Sequence, residues 1–330
     1  MNRSRLLICF TYCITTLILD LTIQKLLAQE NILGVPVPVD PRKPGSIVLH
    51  GGARVSDEVF DRFVELAGGP QAEIVFVPSA GFRRGWYESD DEMIEALSSR
   101  YSSWVELENS QGIQSFQFLF TDEPQDAEDE NFCKPLESAT GVWFSGGEQS
   151  RLNYRFVGNY PERTRFQRML ENILRRGGAI GGTSAGMAAI PEIMIVSDDQ
   201  DESSGPVSAF SAHGFGLIRH AIVDQHFDAR SGRLERFTGL LRDNARLDQL
   251  AERNGAGPRM IGLAVEEAAA LVIRGNQLEA IGEANSHVFL KSASGKSIAW
   301  HNLSPGDSAQ LSRRPNRSPS LDFEQNVLLP

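Results

Sequence analysis

The chain has very little cysteine. Three cysteines stand in 330 residues, and two of them, Cys9 and Cys13, fall within the first 28. Removal of that segment would leave Cys133 alone, so no internal disulfide could form and stability would have to come from a packed core. Cys133 lies in Glu130-Asn131-Phe132-Cys133-Lys134-Pro135, without a basic cluster to activate a thiolate, and reads as structural. Positive charge is also short. A net charge of −11 excludes nucleic acid and anionic membrane as main partners. Histidine is scarce too, so any histidine base is one of His50, His213, His220, His226, His287 and His301. No internal repeat is present. The remaining composition, 41% hydrophobic and 23% charged, is that of an ordinary globular protein.

The apolar run Leu6–Leu19 follows Arg3 and Arg5 and is closed by Asp20, short of the ~18 residues that a membrane span needs. With a short polar stretch ending at Leu26-Leu27-Ala28-Gln29, residues 1–28 read as a signal peptide cleaved near Ala28. The expectation is a secreted or periplasmic protein with no membrane contact after cleavage; the alternative is an uncleaved anchor. Residues 29–45 carry Pro36, Pro38, Pro41 and Pro44 and read as a stiff linker. A single peptidase-sized domain is expected over 46–303. Residues 304–330, polar and proline-rich, are expected to form a C-terminal tail.

Within the domain, strand and helix signals alternate. Ser46–His50, Glu73–Pro78, Phe116–Phe120 and Thr140–Phe144 are apolar strand-like runs. Between them, Val55–Leu66, the segment around Met93–Trp104, and Phe166–Leu174 carry apolar residues at helical spacing. Continuous apolar strands alternating with helices predict an α/β fold with a mainly parallel sheet covered by helices on both faces. Beyond Ser184 the pattern loosens. Ser197–Ser208 is an acidic insertion, Leu217–Asp224 a strand, and Arg233–Glu252 one long helix. Met260–Val265, Ala269–Ile273, Leu278–Ile281 and His287–Leu290 predict short C-terminal antiparallel strands.

The stretch with chemical potential is Gly178-Ala179-Ile180-Gly181-Gly182-Thr183-Ser184-Ala185-Gly186-Met187, a strand, sharp turn and helix with Ser184 at the turn. Gly182 and Gly186 leave room for a strained backbone that would expose the hydroxyl as a nucleophile. Such a serine needs a base, an acid to orient it, and oxyanion donors. His226 closes a strand in Ala221-Ile222-Val223-Asp224-Gln225-His226, where α/β sheets place functional groups. Gly262-Leu263-Ala264-Val265-Glu266-Glu267 ends likewise in carboxylates. Adjacent strand residues face opposite ways, so one glutamate would face the site and the other would be a solvated surface charge; spacing leaves open which. Ala185 supplies one oxyanion amide by position, and the Gly146-Gly147 turn a second, with Gln149 beside it. The order serine, histidine, acid differs from that of α/β-hydrolases.

Taken together, Phe144-Ser145-Gly146-Gly147-Glu148-Gln149-Ser150-Arg151-Leu152, Gly182-Thr183-Ser184-Ala185-Gly186, Asp224-Gln225-His226-Phe227 and Gly262–Glu267 resemble the ordered motifs of the cyanophycinases and the related aspartyl dipeptidases. The resemblance covers roughly residues 45–290. It implies a class I glutamine amidotransferase-like fold and a Ser184–His226–Glu267 triad. It also implies oxyanion amides from Gly147 and Ala185, and substrate contacts from Gln149, Asp224, Gln225, Arg230 and Arg233. No cofactor and no metal are implied. The expected partner is a peptide or polymer rich in Asp and Arg; cyanophycin is a polyaspartate bearing arginine on each β-carboxyl. A homodimer is left open. The chain departs from the family pattern at Glu148, where Asp is common, and in the spacing of arginines after His226. An exopeptidase on short aspartyl or isoaspartyl peptides, and a non-catalytic polymer-binding protein on the same fold, are the alternatives.

Overall fold

The computed structural model describes residues 30–196, 210–230, 232–292, 294–313 and 318–323. The leader expected at 1–28 and the acidic insertion expected at 197–208 lie outside the described residues. Among the described residues no helix is long and apolar enough to cross a membrane.

The chain is α/β, with strands divided between two sheets. Ser46–His50 (β1), Glu73–Val77 (β2), Ser115–Phe118 (β3), Gly141–Phe144 (β4) and Ala179–Thr183 (β5) form a parallel set in the spatial order β1-β5-β4-β2-β3. Pro191–Val196 (β6), Phe210–His213 (β7), Ile218–Asp224 (β8) and Ile261–Val265 (β9) belong to the second sheet, where β8 runs parallel to both β6 and β9. Ala269–Arg274 (β10) and Gln277–Gly282 (β11) return antiparallel to the first sheet, beside β1. Ser286–Lys291 (β12) and Ile298–Leu303 (β13) go back to the second. The chain therefore passes between the sheets at residues 184–190, 266–268 and 283–285, and again at 304–307 on its way to the C-terminal strands.

Alternation along the strands decides what each sheet face buries. On one face of the first sheet, Leu49, Val77, Val142, Phe144 and Ile180 share a core with Ala221, Val223, Leu263 and Val265 of the second. On the other face, Val48, Ile74, Phe76 and Trp143 pack against Val59 and Phe63 of the helix Asp57–Leu66 and against Trp104. The outer face of the second sheet, with Ile193, Ile222, Ala264 and Phe289, lies under Phe237, Leu241 and Leu247. The helix Arg165–Arg175 starts where Thr164 accepts from the Gln167 N–H and Gln167 answers the Thr164 N–H. Its buried Phe166, Leu170, Ile173 and Leu174 are each worth about 1.5–3 kcal/mol of burial.

The expectations need revision in several places. A mainly parallel single sheet becomes two mixed sheets, because the C-terminal strands are divided between them instead of forming one ribbon. The expected linker is anchored: Ile32 and Leu33 are fully buried, and Asn276 accepts the Ile32 N–H through its side chain. Part of the expected tail is structured as well, Ser308–Arg313 (β14) and Pro319–Phe323 (β15) extending the first sheet beyond β11. Its polar appearance reflects an edge ribbon in which Ala309 and Leu311 are buried and Leu321 packs against them from β15. The helix expected over Arg233–Glu252 breaks at Asp243, whose side chain caps a second helix, Asn244–Leu250. Cys133 is buried, and burial pushes its thiol up to about 11.

Candidate active site

Ser184, His226 and Glu267 come together where the two sheets meet. Ser184 directly follows β5 of the first sheet, β8 of the second ends two residues before His226, and Glu267 lies in the crossover from β9 to β10. Ser184 has φ 53° and ψ −117°, a conformation that side chains rarely adopt. It is held there by its N–H, which donates to the His50 carbonyl at 3.0 Å, and by the closeness of strand and helix behind it. A Cβ on Gly182 would stand 2.6 Å from the Gly186 carbonyl carbon, so the turn admits no side chain at that point. His226 is also at positive φ, 50°, with its N–H donating to the Gly51 carbonyl at 2.8 Å. Its ring lies against Gly52, where an added Cβ would approach within 2.1 Å of Cε1.

The side chains form a continuous relay. Ser184 Oγ is 2.7 Å from His226 Nε2, and His226 Nδ1 is 2.6 Å from Glu267 Oε1. A carboxylate only accepts, so Nδ1 carries the proton and Nε2 is left to accept from the serine hydroxyl. Burial lowers the pKa of His226 below its ordinary 6.5, the hydrogen bond to Glu267 opposes that shift, and the Arg230 and Arg233 charges add to it. The neutral ring is thus favoured near neutral pH, as a general base requires. Glu267 is itself located by its backbone N–H, which donates to Asp228 Oδ1 at 3.0 Å and ties the acid-bearing crossover to the loop after His226.

Glu266 is not a solvated surface charge. It turns away from Ser184, accepts from the Asn285 N–H at 2.9 Å, and pairs with His287 Nε2 at 2.9 Å. The remaining candidates divide in a similar way. Gly147, at φ 144°, is exposed on the turn after β4, while Ala185 opens the short helix Ala185–Ala188, where the first amides lack helical acceptors. Gln149 is buried, and its amide donates to the Ile195 carbonyl at 3.1 Å, joining the turn to β6. Asp224 is fully buried and accepts from Arg233 and, at 2.7 Å, from Arg236 Nη2. Arg233 and Asp224 therefore engage each other rather than standing free. Gln225 is buried with Oε1 unpartnered, and Arg230 is exposed.

Three further residues stand at the site with little signal of their place in the sequence. Arg236 completes the pair of guanidiniums on Asp224; its spacing of three from Arg233, one helical turn, was the available signal. Gly52 backs the imidazole, visible in sequence only as half of a glycine pair. His50 lies beside the elbow with Nδ1 2.7 Å from Thr183 Oγ1, and burial with the nearby His226 lowers its pKa to about 4.

A family model described as peptidase family S51 matches residues 47–281, which encloses every strand and turn that builds this relay. The chain belongs to peptidase family S51. Among curated proteins, this S51 peptidase is 27% identical over 242 residues to a cyanophycinase from Geminocystis herdmanii, an alignment covering 72% of the chain and 78% of the relative. It is 27% identical over 226 residues to a cyanophycinase from Synechococcus elongatus, covering 68% of the chain and 61% of that relative's length. Among solved structures, a peptidase from an acI-B1 Actinobacterium superposes with a TM-score of 0.55 at 20% identity, over 81% of the chain and 97% of the neighbour, which is a likeness of fold.

Proposed function

We propose that this S51 peptidase is a serine hydrolase that cleaves cyanophycin or related β-aspartyl-arginine polymers to dipeptides, on a class I glutamine amidotransferase-like fold. The observation that carries the reading is the unbroken relay from Ser184 Oγ through His226 to Glu267. His226 Nε2 takes the Ser184 proton as Oγ attacks the aspartyl carbonyl, and Glu267 stabilises the imidazolium that forms. The Gly147 and Ala185 amides hold the developing oxyanion. His226 then returns its proton to the leaving amine, an acyl-enzyme remains, and water activated by the same ring releases it. The substrate class is drawn from the names of the curated relatives, with which the exposed Arg230 beyond His226 is chemically consistent. Residues 1–28 would direct the enzyme to the periplasm or the exterior.

The test is incubation with cyanophycin and mass spectrometry of the products. Free β-aspartyl-arginine from the native protein, and none from a folded Ser184→Ala variant, is the expected result. Turnover retained in that variant would overturn the mechanism. Inertness toward polymer with cleavage of short isoaspartyl peptides would instead assign an exopeptidase.

A further inference from the structure

Two arginines without a carboxylate partner among the described residues, Arg83 and Arg151, lie near the Ser145–Glu148 turn beside the elbow. The parallel strands set out the site in order. β1 and the Gly51-Gly52 turn lie on the His226 side of Ser184; β4, and then β2 beyond it, lie on the other. The segment leaving β2 runs against the Ser145–Glu148 turn. Ala80 accepts from the Glu148 N–H at 3.0 Å, and a Cβ on Gly81 would stand 2.9 Å from the Gly146 carbonyl oxygen. Three residues follow that contact with no catalytic role. Arg83 is exposed and forms no ion pair among the described residues. Trp86 leaves 55% of its surface exposed. Arg151, on the helix Gln149–Phe156, places its guanidinium 5.5 Å over the Trp86 ring and donates to the Ala80 carbonyl at 3.0 Å.

The Arg151 and Arg155 heads both feel the Arg83 charge, which, after burial, disfavours their own. Asp122 pairs with Arg155, and Arg84 reaches Asp90, so both of those neighbours are answered. Only Glu148 opposes Arg151, and its Oε1 also accepts from Ser150 Oγ. Arg151 keeps Nε buried and without a hydrogen bond. Arg151 lies over the indole and the Arg83 charge repels it; neither has a carboxylate partner among the described residues, and together they form a receptor for a carboxylate.

We infer that Arg83, Arg151 and Trp86 form a carboxylate-binding subsite on the side of Ser184 opposite His226, which receives the free α-carboxylate of a substrate arginine. The inference rests on the proposed activity for the identity of the ligand. In a β-aspartyl-arginine unit the arginine is joined through its α-amine, so its carboxylate is free to meet Arg83 and Arg151. Arg83 is then a specificity residue, outside the relay.

The test uses Ser184→Ala protein, which holds ligand without turnover. Binding of acetyl-β-aspartyl-arginine and of its arginine-carboxamide is measured by calorimetry, with and without Arg83→Glu. The acid should bind about tenfold or more tightly than the amide, as expected of a charge-assisted contact, and Arg83→Glu should erase that preference while Arg83→Lys keeps most of it. An acid-to-amide ratio unchanged by Arg83→Glu, or no binding of either ligand, would overturn the subsite. A subsite preference without polymer hydrolysis by the native protein would retain this inference and reject the proposed activity; hydrolysis without the preference would do the reverse.

Discussion

Glu266 and Glu267 are neighbours in sequence, and each meets a histidine, yet the two pairs differ in nature. Glu267 is half-exposed and holds a ring whose other nitrogen meets a serine hydroxyl. Glu266 lies behind it, and holds His287, whose Nδ1 accepts from Trp300 Nε1–H at 3.2 Å. That indole proton is not transferable at ordinary pH, so it occupies the lone pair that a base would need. Phe227 packs its ring 5.4 Å from His287, and Phe289 lies between the aromatic groups. The same two residue types therefore yield one pair whose ring meets a serine hydroxyl and one whose ring is closed off by an indole. What separates them is the group that the far nitrogen meets, and the turn that the crossover makes after β9 decides which glutamate goes where.

The largest expected effect is on the pair that meets Ser184. On the proposed mechanism Glu267→Gln removes the charge that supports His226, and kcat for the proposed cyanophycin hydrolysis should fall about 10³–10⁴-fold while the thermal melt is little changed. The pH profile adds a sign. His226 acts as a base only when neutral, and its pKa lies below 6.5, so kcat/KM should fall as pH drops through that lowered value. Glu267 raises the His226 pKa, so in Glu267→Gln the residual acid limb should move to still lower pH; an upward move would contradict the relay.

Gly52→Ala tests whether the backing of His226 matters as much as its hydrogen bonds. Position 52 is at φ 131°, and a methyl group would meet the imidazole within 2.1 Å, so the ring must shift away from Ser184. A displacement of that kind should cost on the order of 10²-fold in kcat, and circular dichroism should show a folded protein.

The smallest catalytic effect is expected at the pair closed off by the indole. A glutamine at 266 can accept from the Asn285 N–H or from His287 but presents a second donor to one of them. Glu266→Gln should therefore cost about 1–3 kcal/mol in denaturant unfolding while kcat stays within about tenfold. Equal catalytic losses at positions 266 and 267 would erase the distinction between the two pairs.

Much of this site was legible without coordinates. The elbow around Ser184, the strand ending near His226 and the strand ending at Glu266-Glu267 all show in apolar runs that stop at polar residues. Which glutamate faced the serine was not readable, because parity depends on where the crossover leaves the sheet. The role of Gln149 was also obscure: its amide serves the Ile195 carbonyl of a strand, β6, whose run the sequence reading did not separate from the loosened stretch after Ser184.

The sequence by itself determined the chemistry available: a serine on a glycine-lined turn, few histidines, and carboxylates at strand ends. It also determined the core, because the buried apolar runs admit few other foldings. Only the tertiary structure decided that the chain passes between two sheets at residues 184–190 and 266–268, and that His226 closes the gap between them. Contacts of this kind join residues 41 or 42 positions apart. Local propensity carries no information over that distance, so their geometry follows from how the two sheets pack.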